Sequence, residues 1–302
     1  METPKLKVLV YGATGSQSSP VVHHLLARGH QPYVFTRHPE KAADLQAAGA
    51  TIVAGNMTDA ASVHAANQGM DAVALLIPFS ASDPLASARN AVEAAQAAGV
   101  KLLVWNVSGY IPSAPTGNPS YDVRLELQQY LQTSGLPHIT LIPTVYAENL
   151  FGPWTATGLA AHNELAYPVP ATQPINWLAS DDLGALTVAA LERPELAGRT
   201  FVIGGPESLT GPELAAAVAA GLGRDVTYRP MPPAEFRDIL SKLVGPEIAA
   251  AVARGYELLW AGQDHHSLFQ ADIVPVLQAL PVRLTTVREW AAQHAAVFAP
   301  PS

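Results

Sequence analysis

Residues 8–22 read VLVYGATGSQSSPVV, and the fold turns on how this run is understood. A β-branched apolar stretch breaks at Gly12, passes through Ala13, Thr14 and Gly15, and reaches Ser16, Gln17, Ser18, Ser19 and Pro20 before apolar residues resume. A strand that ends in glycines and leads into a helix offers free backbone N–H groups and the positive end of a helix, which together favour a pyrophosphate. Pro20 suits a first helical turn, where its missing N–H costs nothing, and Ser18 or Ser19 suits the N-cap. A third glycine would allow close packing of helix on strand; Ser18 stands in its place and is small enough to keep that packing. The competing reading is a strand-to-helix turn whose glycines serve geometry alone.

Outward from this run, β-branched stretches alternate with Ala-rich amphipathic ones. Strands are expected near 7–11, 33–36, 51–54, 72–77, 102–107 and 139–142, with helices near 20–28, 40–48, 60–67, 84–98 and 123–133. Strands that lack period-two alternation and are joined by helices indicate a parallel sheet covered on both faces. The expectation is an α/β chain with a doubly wound Rossmann sheet over residues 1–150, to which later segments can return. Residues 151–302 are expected to form a smaller α+β domain that completes a substrate cleft. Its elements are expected near 180–191, 200–203, 211–221, 226–229, 233–244, 246–260 and 286–298. The stretch FGPWTATGLAAHNELAYPVPATQP, residues 151–174, is rich in Pro and Gly and reads as a long irregular binding loop.

Composition bounds the function. The 302 residues are 49% hydrophobic and 14% charged with a net charge of -8, which supports a large core and argues against nucleic acid as the main partner. The absence of cysteine removes disulfides, thiolate nucleophiles and Cys-ligated zinc, so a redox role requires a cofactor. No segment reaches the roughly 18 uninterrupted apolar residues of a membrane span, so a cytoplasmic protein is expected. His265-His266 is the one sequence hint of a metal, but adjacent histidines diverge, and no metal site is expected. In the pair His23-His24 one ring is expected to pack and the other to face water, and Asp181-Asp182 reads as charge at a helix start.

Arg37 closes the second expected strand, at the position where an acidic side chain would hold the ribose hydroxyls of NAD. An Arg there faces a 2′-phosphate instead, so the cofactor expected is NADP, with NADPH preferred over NADH. His38 and Lys41 add positive potential. Asn56 is a candidate for the adenine edge, with Met57 on the adenine face or in the core, and Ile77, Pro78 and Phe79 are expected beneath the ribose.

GATGSQSSPVV, Thr36-Arg37, GNMTDAASV and LELQQYLQTSGLPHITLIPTVYAENL, in this order, resemble the NmrA-like branch of the atypical short-chain dehydrogenases. The later pieces NWLASDDLGALTVAAL, GRTFVIGGPESLTGPELA and LTTVREWAAQHAAVF extend the resemblance over nearly the whole chain. It implies an NADP-binding Rossmann domain and one of two roles: reduction of quinones or related carbonyl and azo compounds, or sensing of the cofactor while binding a regulatory protein. It also implies that Tyr146 and Asn149 lie on the cofactor and pocket sides of the site.

The wider superfamily transfers a proton with a Tyr and a Lys four residues later. The five lysines here, Lys5, Lys7, Lys41, Lys101 and Lys242, provide no such pair. Arg124 occupies the position of the lone lysine of NmrA-like chains; it can hold a ribose hydroxyl or the nicotinamide carboxamide but stays protonated and relays no proton. Its other reading is a surface Arg paired with Asp122 or Glu126. Hydride transfer to a quinone or an activated alkene needs less proton assistance, because the developing charge is delocalised. Ser108, Tyr110 and Tyr121 are candidates for hydrogen bonds to the acceptor oxygen. Phe151, Trp154, His162, Tyr167 and Trp177 join Phe79 as candidates for an apolar substrate pocket. The reading is thus an NADPH-dependent reductase of a small apolar quinone or enone, the alternative a non-catalytic NADP(H) sensor. A protein partner and a homodimer stay open.

Overall fold

The structure is a computed structural model and describes residues 5–78, 81–263 and 269–299. Its strands are β1 (Lys7–Tyr11), β2 (Gln31–Thr36), β3 (Thr51–Ala54), β4 (Ala72–Leu76), β5 (Leu102–Asn106), β6 (His138–Pro143), β7 (Glu164–Tyr167), β8 (Ile175–Asn176), β9 (Thr200–Ile203), β10 (Ser208–Leu209) and β11 (Thr227–Pro230). The helices are α1 (Ser19–Ala27), α2 (Ala43–Ala47), α3 (Ala60–Asn67), α4 (Pro84–Ala97), α5 (Pro119–Ser134), α6 (Pro153–His162), α7 (Ser180–Leu191), α8 (Gly211–Leu222), α9 (Pro233–Val244), α10 (Pro246–Trp260), α11 (Val274–Ala279) and α12 (Val287–Gln293). None of the described helices is long and apolar enough to cross a membrane.

The chain divides into two compact units. The first comprises Met1–Pro143, Ser180–Ile203 and Val274–Arg283. Seven parallel strands form its sheet in the order β3-β2-β1-β4-β5-β6-β9, so the order reverses between β1 and β4. This is the doubly wound Rossmann sheet, and its reversal point opens a crevice at the carboxyl ends of β1 and β4. β4 and β5 are buried along their whole length, as strands covered on both faces must be. Leu9, Val73, Leu103 and Trp105 meet the Ala-rich faces of α3 and α4 there. Helix starts are marked in the sequence: Asp59 accepts from the Ala61 N–H at 3.1 Å, and Asp83 from the Ala86 N–H at 2.9 Å.

α7 lies against α1 within this unit. Gly184 makes the approach close, since a Cβ there would come within 2.8 Å of Pro20. His24 Nε2 meets Asp181 Oδ1 at 3.1 Å, while Glu192 takes Arg28 Nη1 at 2.7 Å and His30 Nε2 at 3.0 Å. His24 thus packs and His23 is exposed. The Asp181 hydrogen bond raises the His24 pKa and lowers that of Asp181.

The second unit comprises Thr144–Ala179, Gly204–Ile273 and Leu284–Ser302. β7 pairs with β11 in parallel and β8 with β10 antiparallel, and Tyr167, Trp177, Leu214, Trp290 and Phe298 are in its core. Here the sequence reading needs correction. Residues 151–174 are not one irregular loop: a 3₁₀ turn at Ala147–Phe151 leads through Gly152 into α6 and β7. Pro153 sits in the first turn of α6, and Asn163 ends the helix in the left-handed conformation at φ 55°. The Pro and Gly residues punctuate short elements rather than dissolve them. The helix expected over 286–298 also ends early, at Gln293, with a 3₁₀ turn at Ala295–Phe298.

Candidate functional site

A pocket of ≈ 490 Å³ lies at the carboxyl ends of β1, β2, β3, β4 and β5 in the first unit. One wall is the glycine loop, with Gly12, Thr14, Gly15, Ser16 and Gln17. Gly12 turns the chain at φ 71°, and a Cβ there would come within 3.2 Å of the Leu76 side chain and 3.3 Å of the Leu76 carbonyl. The loop closes on itself through Gly15 N–H to Gly12 O at 3.0 Å and Ser19 N–H to Gly15 O at 3.0 Å. The N–H groups of Thr14, Ser16 and Gln17 have no intrachain partner among the described residues.

Ser18 is buried where the third glycine would stand, and it occupies the N-cap of α1. It does not cap with its side chain, contrary to the sequence expectation. Its backbone is already helical at φ -112° and ψ -14°, whereas a capping side chain needs the extended conformation. The first turn of α1 therefore keeps its positive end free of a side-chain oxygen.

A second wall follows β2. Thr36, Arg37, His38 and Lys41 line it, and His38 Nδ1 meets Glu40 Oε1 at 3.1 Å. Neither Arg37 nor Lys41 has a carboxylate partner among the described residues. Gly55, Asn56, Met57 and Thr58 continue the lining after β3, and Asn56 Oδ1 accepts from the Thr58 N–H at 3.2 Å. That bond occupies the Asn56 carbonyl and leaves its amide hydrogens for a ligand. Met57 is half-buried against the core and also lines the pocket, while Asn90 donates to its carbonyl at 2.9 Å. Ile77 and Pro78 line the floor beyond β4; Phe79 lies outside the described residues.

Ser108 closes the far end, after β5. Tyr110 and Tyr121 are absent from the lining and pack edge to face with ring centroids 6.0 Å apart. Arg124 is also absent from it. Its Nε donates to the Val107 carbonyl and its Nη2 to the Ser108 carbonyl, each at 3.3 Å. Asp122 does not pair with it in the way the surface reading supposed: Asp122 accepts from the Thr116 N–H and hydroxyl at 2.7 and 2.8 Å and from the Gly117 N–H at 2.9 Å.

The remaining candidates belong to the second unit. Tyr146 pairs with Leu178 in a parallel bridge, and Asn149 Nδ2 donates to the Tyr167 hydroxyl at 3.4 Å. That hydroxyl is 2.9 Å from Tyr256, and burial pushes the Tyr167 phenol well above its ordinary pKa. Phe151 stacks on Trp290 at 5.1 Å, and Trp154 meets Phe236 edge-on at 5.0 Å, so both rings are engaged in packing. Trp177 is buried against Tyr167, and His162 is exposed in the last turn of α6. No cluster of His, Asp and Glu suited to a metal occurs among the described residues, and His265-His266 lies outside them.

The reading from sequence missed Asn106. It is buried at the end of β5, where its Oδ1 accepts from the Ser108 N–H at 2.9 Å and its Nδ2 donates to Gln17 Oε1 at 3.4 Å. A lone Asn closing an otherwise apolar strand, LLVWN, was the available signal.

The residues present fit a phosphorylated dinucleotide. A Cβ would fill the cradle at Gly12, N–H groups without a partner among the described residues surround it, and two cations with no carboxylate partner among those residues follow β2.

The family model described as the NmrA-like family matches residues 4–290. The chain is 29% identical over 293 residues to an NAD(P)H azoreductase of Xenophilus azovorans, covering 96% of this chain and 99% of that one. It is also 29% identical over 297 residues to a (4-alkanoyl-5-oxo-2,5-dihydrofuran-3-yl)methyl phosphate reductase of Streptomyces griseus, covering 97% and 99%. Among solved structures, the NADPH-dependent quinone oxidoreductase QOR2 of Escherichia coli complexed with NADPH superposes with a TM-score of 0.77. The two are 23% identical, with 95% of this chain and 99% of that one covered.

Proposed function

Because the chain belongs to the NmrA-like family, we propose that it is an NADPH-dependent reductase of small apolar acceptors in which a quinone, an azo group or an alkene conjugated to carbonyls takes up hydride. The observation that carries this reading is the pocket itself: a glycine cradle at one wall, Arg37 and Lys41 at another and Ser108 at the far end of one continuous lining. NADP(H) is the cofactor, and when bound as NADPH it would supply a hydride, which carries both electrons of the reduction.

The chain's own residues bind and orient. The N–H groups of Thr14, Ser16 and Gln17, with the start of α1, hold the pyrophosphate; Arg37 and Lys41 take the 2′-phosphate. Asn56, Met57, Ile77 and Pro78 bound the space between. The hydroxyl of Ser108 has no partner among the described residues and is the pocket's hydrogen-bond donor toward an acceptor oxygen or nitrogen.

The acceptor class follows from what is missing. Lys101, the lysine nearest β5 in sequence, is exposed just before that strand begins, and its Nζ stands 3.6 Å from Asp71, at the end of the strand remote from the pocket. Without a tyrosine and lysine relay, an acceptor must spread its developing negative charge over its own π-system. The relatives support this. One reduces an azo group by its name, and the other acts on a ring whose alkene is conjugated to two carbonyl groups.

The test is NADPH oxidation with quinones, azo dyes, acylated butenolides and simple ketones, beside NADPH binding by calorimetry. Turnover of the conjugated acceptors with no turnover of simple ketones is expected. Tight binding without turnover of any acceptor would replace the reductase with the sensor reading, and absence of NADPH binding would overturn both.

A further inference from the structure

Ser108 is held in a conformation that its chemistry disfavours. Among the described residues, only Ser108 (φ 54°) and Asn163 (φ 55°) have positive φ without being glycine. Asn163 ends a helix, where the left-handed conformation is routine. Ser108 follows a strand, and Gly109 beyond it lies at φ 149°. A left-handed serine is strained and persists only where its surroundings fix it.

Two side chains provide that fixing, and neither lines the pocket. From the strand end, Asn106 Oδ1 takes the Ser108 N–H at 2.9 Å. From α5, the Arg124 guanidinium donates to the carbonyls of Val107 and Ser108, each at 3.3 Å. It presses so closely on the loop that a Cβ on Gly109 would come within 3.2 Å of its Nη2. The Asn106 amide reaches Gln17 of the glycine loop as well, so one buried side chain ties together two walls of the pocket.

We infer that Asn106 and Arg124 are positioning residues: they clamp the backbone of residues 107–109 from both sides so that the Ser108 hydroxyl faces the end of the pocket opposite Arg37. This inference rests on the reading of the pocket as an NADP(H) site. In the sheet order β2-β1-β4-β5, Arg37 and Ser108 stand on opposite sides of the reversal point. A dinucleotide whose 2′-phosphate is at Arg37 therefore directs its nicotinamide half toward Ser108. Arg124, always protonated and turned to carbonyls, is a substitute for the family's lysine in place but not in proton transfer. A lysine could not replace it here, since one ammonium on a flexible stem does not reproduce a planar fork that serves two successive carbonyls.

The experiment compares wild type with Arg124→Lys, Ser108→Ala and the double variant. Binding of NADPH and of 2′,5′-ADP, which lacks the nicotinamide half, is measured by calorimetry, along with bound-NADPH fluorescence, kcat and KM. For Arg124→Lys, 2′,5′-ADP affinity is expected to stay within about twofold, while kcat for a quinone falls about ten- to a hundredfold and the NADPH emission shifts. In the Ser108→Ala background, the same Arg124 change is expected to cost less than about twofold in kcat, because the clamp acts through the hydroxyl it presents. Equal or higher kcat in Arg124→Lys with unchanged emission would overturn the inference, as would full additivity of the two substitutions. Failure of wild type to bind either nucleotide would instead remove the cofactor reading. Should Arg124→Lys not fold, Asn106→Asp keeps the acceptor for the Ser108 N–H and loses the donor to Gln17. Unchanged NADPH emission and kcat in that variant would likewise overturn the inference.

Discussion

Replacing Arg37 separates a phosphate site from a loop that merely carries charge. The side chain is exposed, lines the pocket beside Lys41, and has no carboxylate partner among the described residues to neutralise it. A charge-assisted hydrogen bond contributes about 1.5–3 kcal/mol. Solvent screening at an exposed site places Arg37 near the lower end, about 1.5–2 kcal/mol. At about 1.4 kcal/mol per decade, Arg37→Ala is expected to weaken NADPH binding about 10- to 30-fold. Arg37→Asp adds repulsion of about 1 kcal/mol between a carboxylate and the phosphate, for a total near 100-fold. NADH has no 2′-phosphate, so its affinity is expected to change less than about twofold in Arg37→Ala. Lys41 remains in that variant, and the residual preference for NADPH is expected to vanish in Arg37→Ala/Lys41→Ala. Calorimetric titration of both dinucleotides at two salt concentrations measures this, with the NADPH affinity of wild type showing the steeper salt dependence. Equal weakening of NADPH and NADH, or no change in either, would refute the assignment of the β2 end to the phosphate.

Gly12→Ala is expected to cost about 1–3 kcal/mol in urea denaturation, because alanine pays for φ 71° and its Cβ meets the Leu76 side chain and carbonyl at 3.2 and 3.3 Å. NADPH affinity should fall more than about tenfold with it, and an unchanged urea midpoint would contradict the cradle geometry. The contact between α1 and α7 has a pH signature. His24, with a raised pKa, contributes stability that is complete below its unfolded pKa near 6.5 and is lost as pH rises through the raised value. Asp181, with a lowered pKa, contributes stability that is complete above its unfolded pKa near 3.8 and is lost as pH falls through the lowered value. The stability difference between wild type and Asp181→Asn is therefore expected to be largest from about pH 4 to 6.5. Its size should be a few tenths to about 1 kcal/mol, since the Asp181 side chain is 70% exposed. A difference that does not vary with pH in thermal melts would sink this account.

The sequence by itself determined the alternation of buried strands and amphipathic helices, and with it the parallel sheet, because a strand covered on both faces is apolar without alternation, as in AVALL of β4 and the first four residues, LLVW, of β5. It also determined the turn at Gly12 and the positive charge at Arg37, since both are local features: a backbone conformation only glycine adopts readily, and a charge at a strand end. The 151–174 stretch was misread for the converse reason. Pro and Gly mark boundaries in the chain, and whether the segments between them form α6 and β7 depends on partners such as β11, which pairs with β7 from 63 residues further on.

The end of the site around Ser108 was decided by tertiary structure alone. Nothing in the letters SGY shows that Ser108 is left-handed, that Arg124 turns to the carbonyls of residues 107 and 108 rather than to Asp122, or that Asn106 reaches Gln17. The Asn106–Gln17 bond spans 89 residues of chain and forms because the sheet order brings β5 beside β4 and β4 beside β1, while the Arg124 bonds, across 16 and 17 residues, form where α5 packs back on the end of β5. Periodicity and motif spacing encode what a segment does with its near neighbours; which distant groups a side chain such as Asn106 or Arg124 meets is fixed only when the strands pair and the helices pack on them.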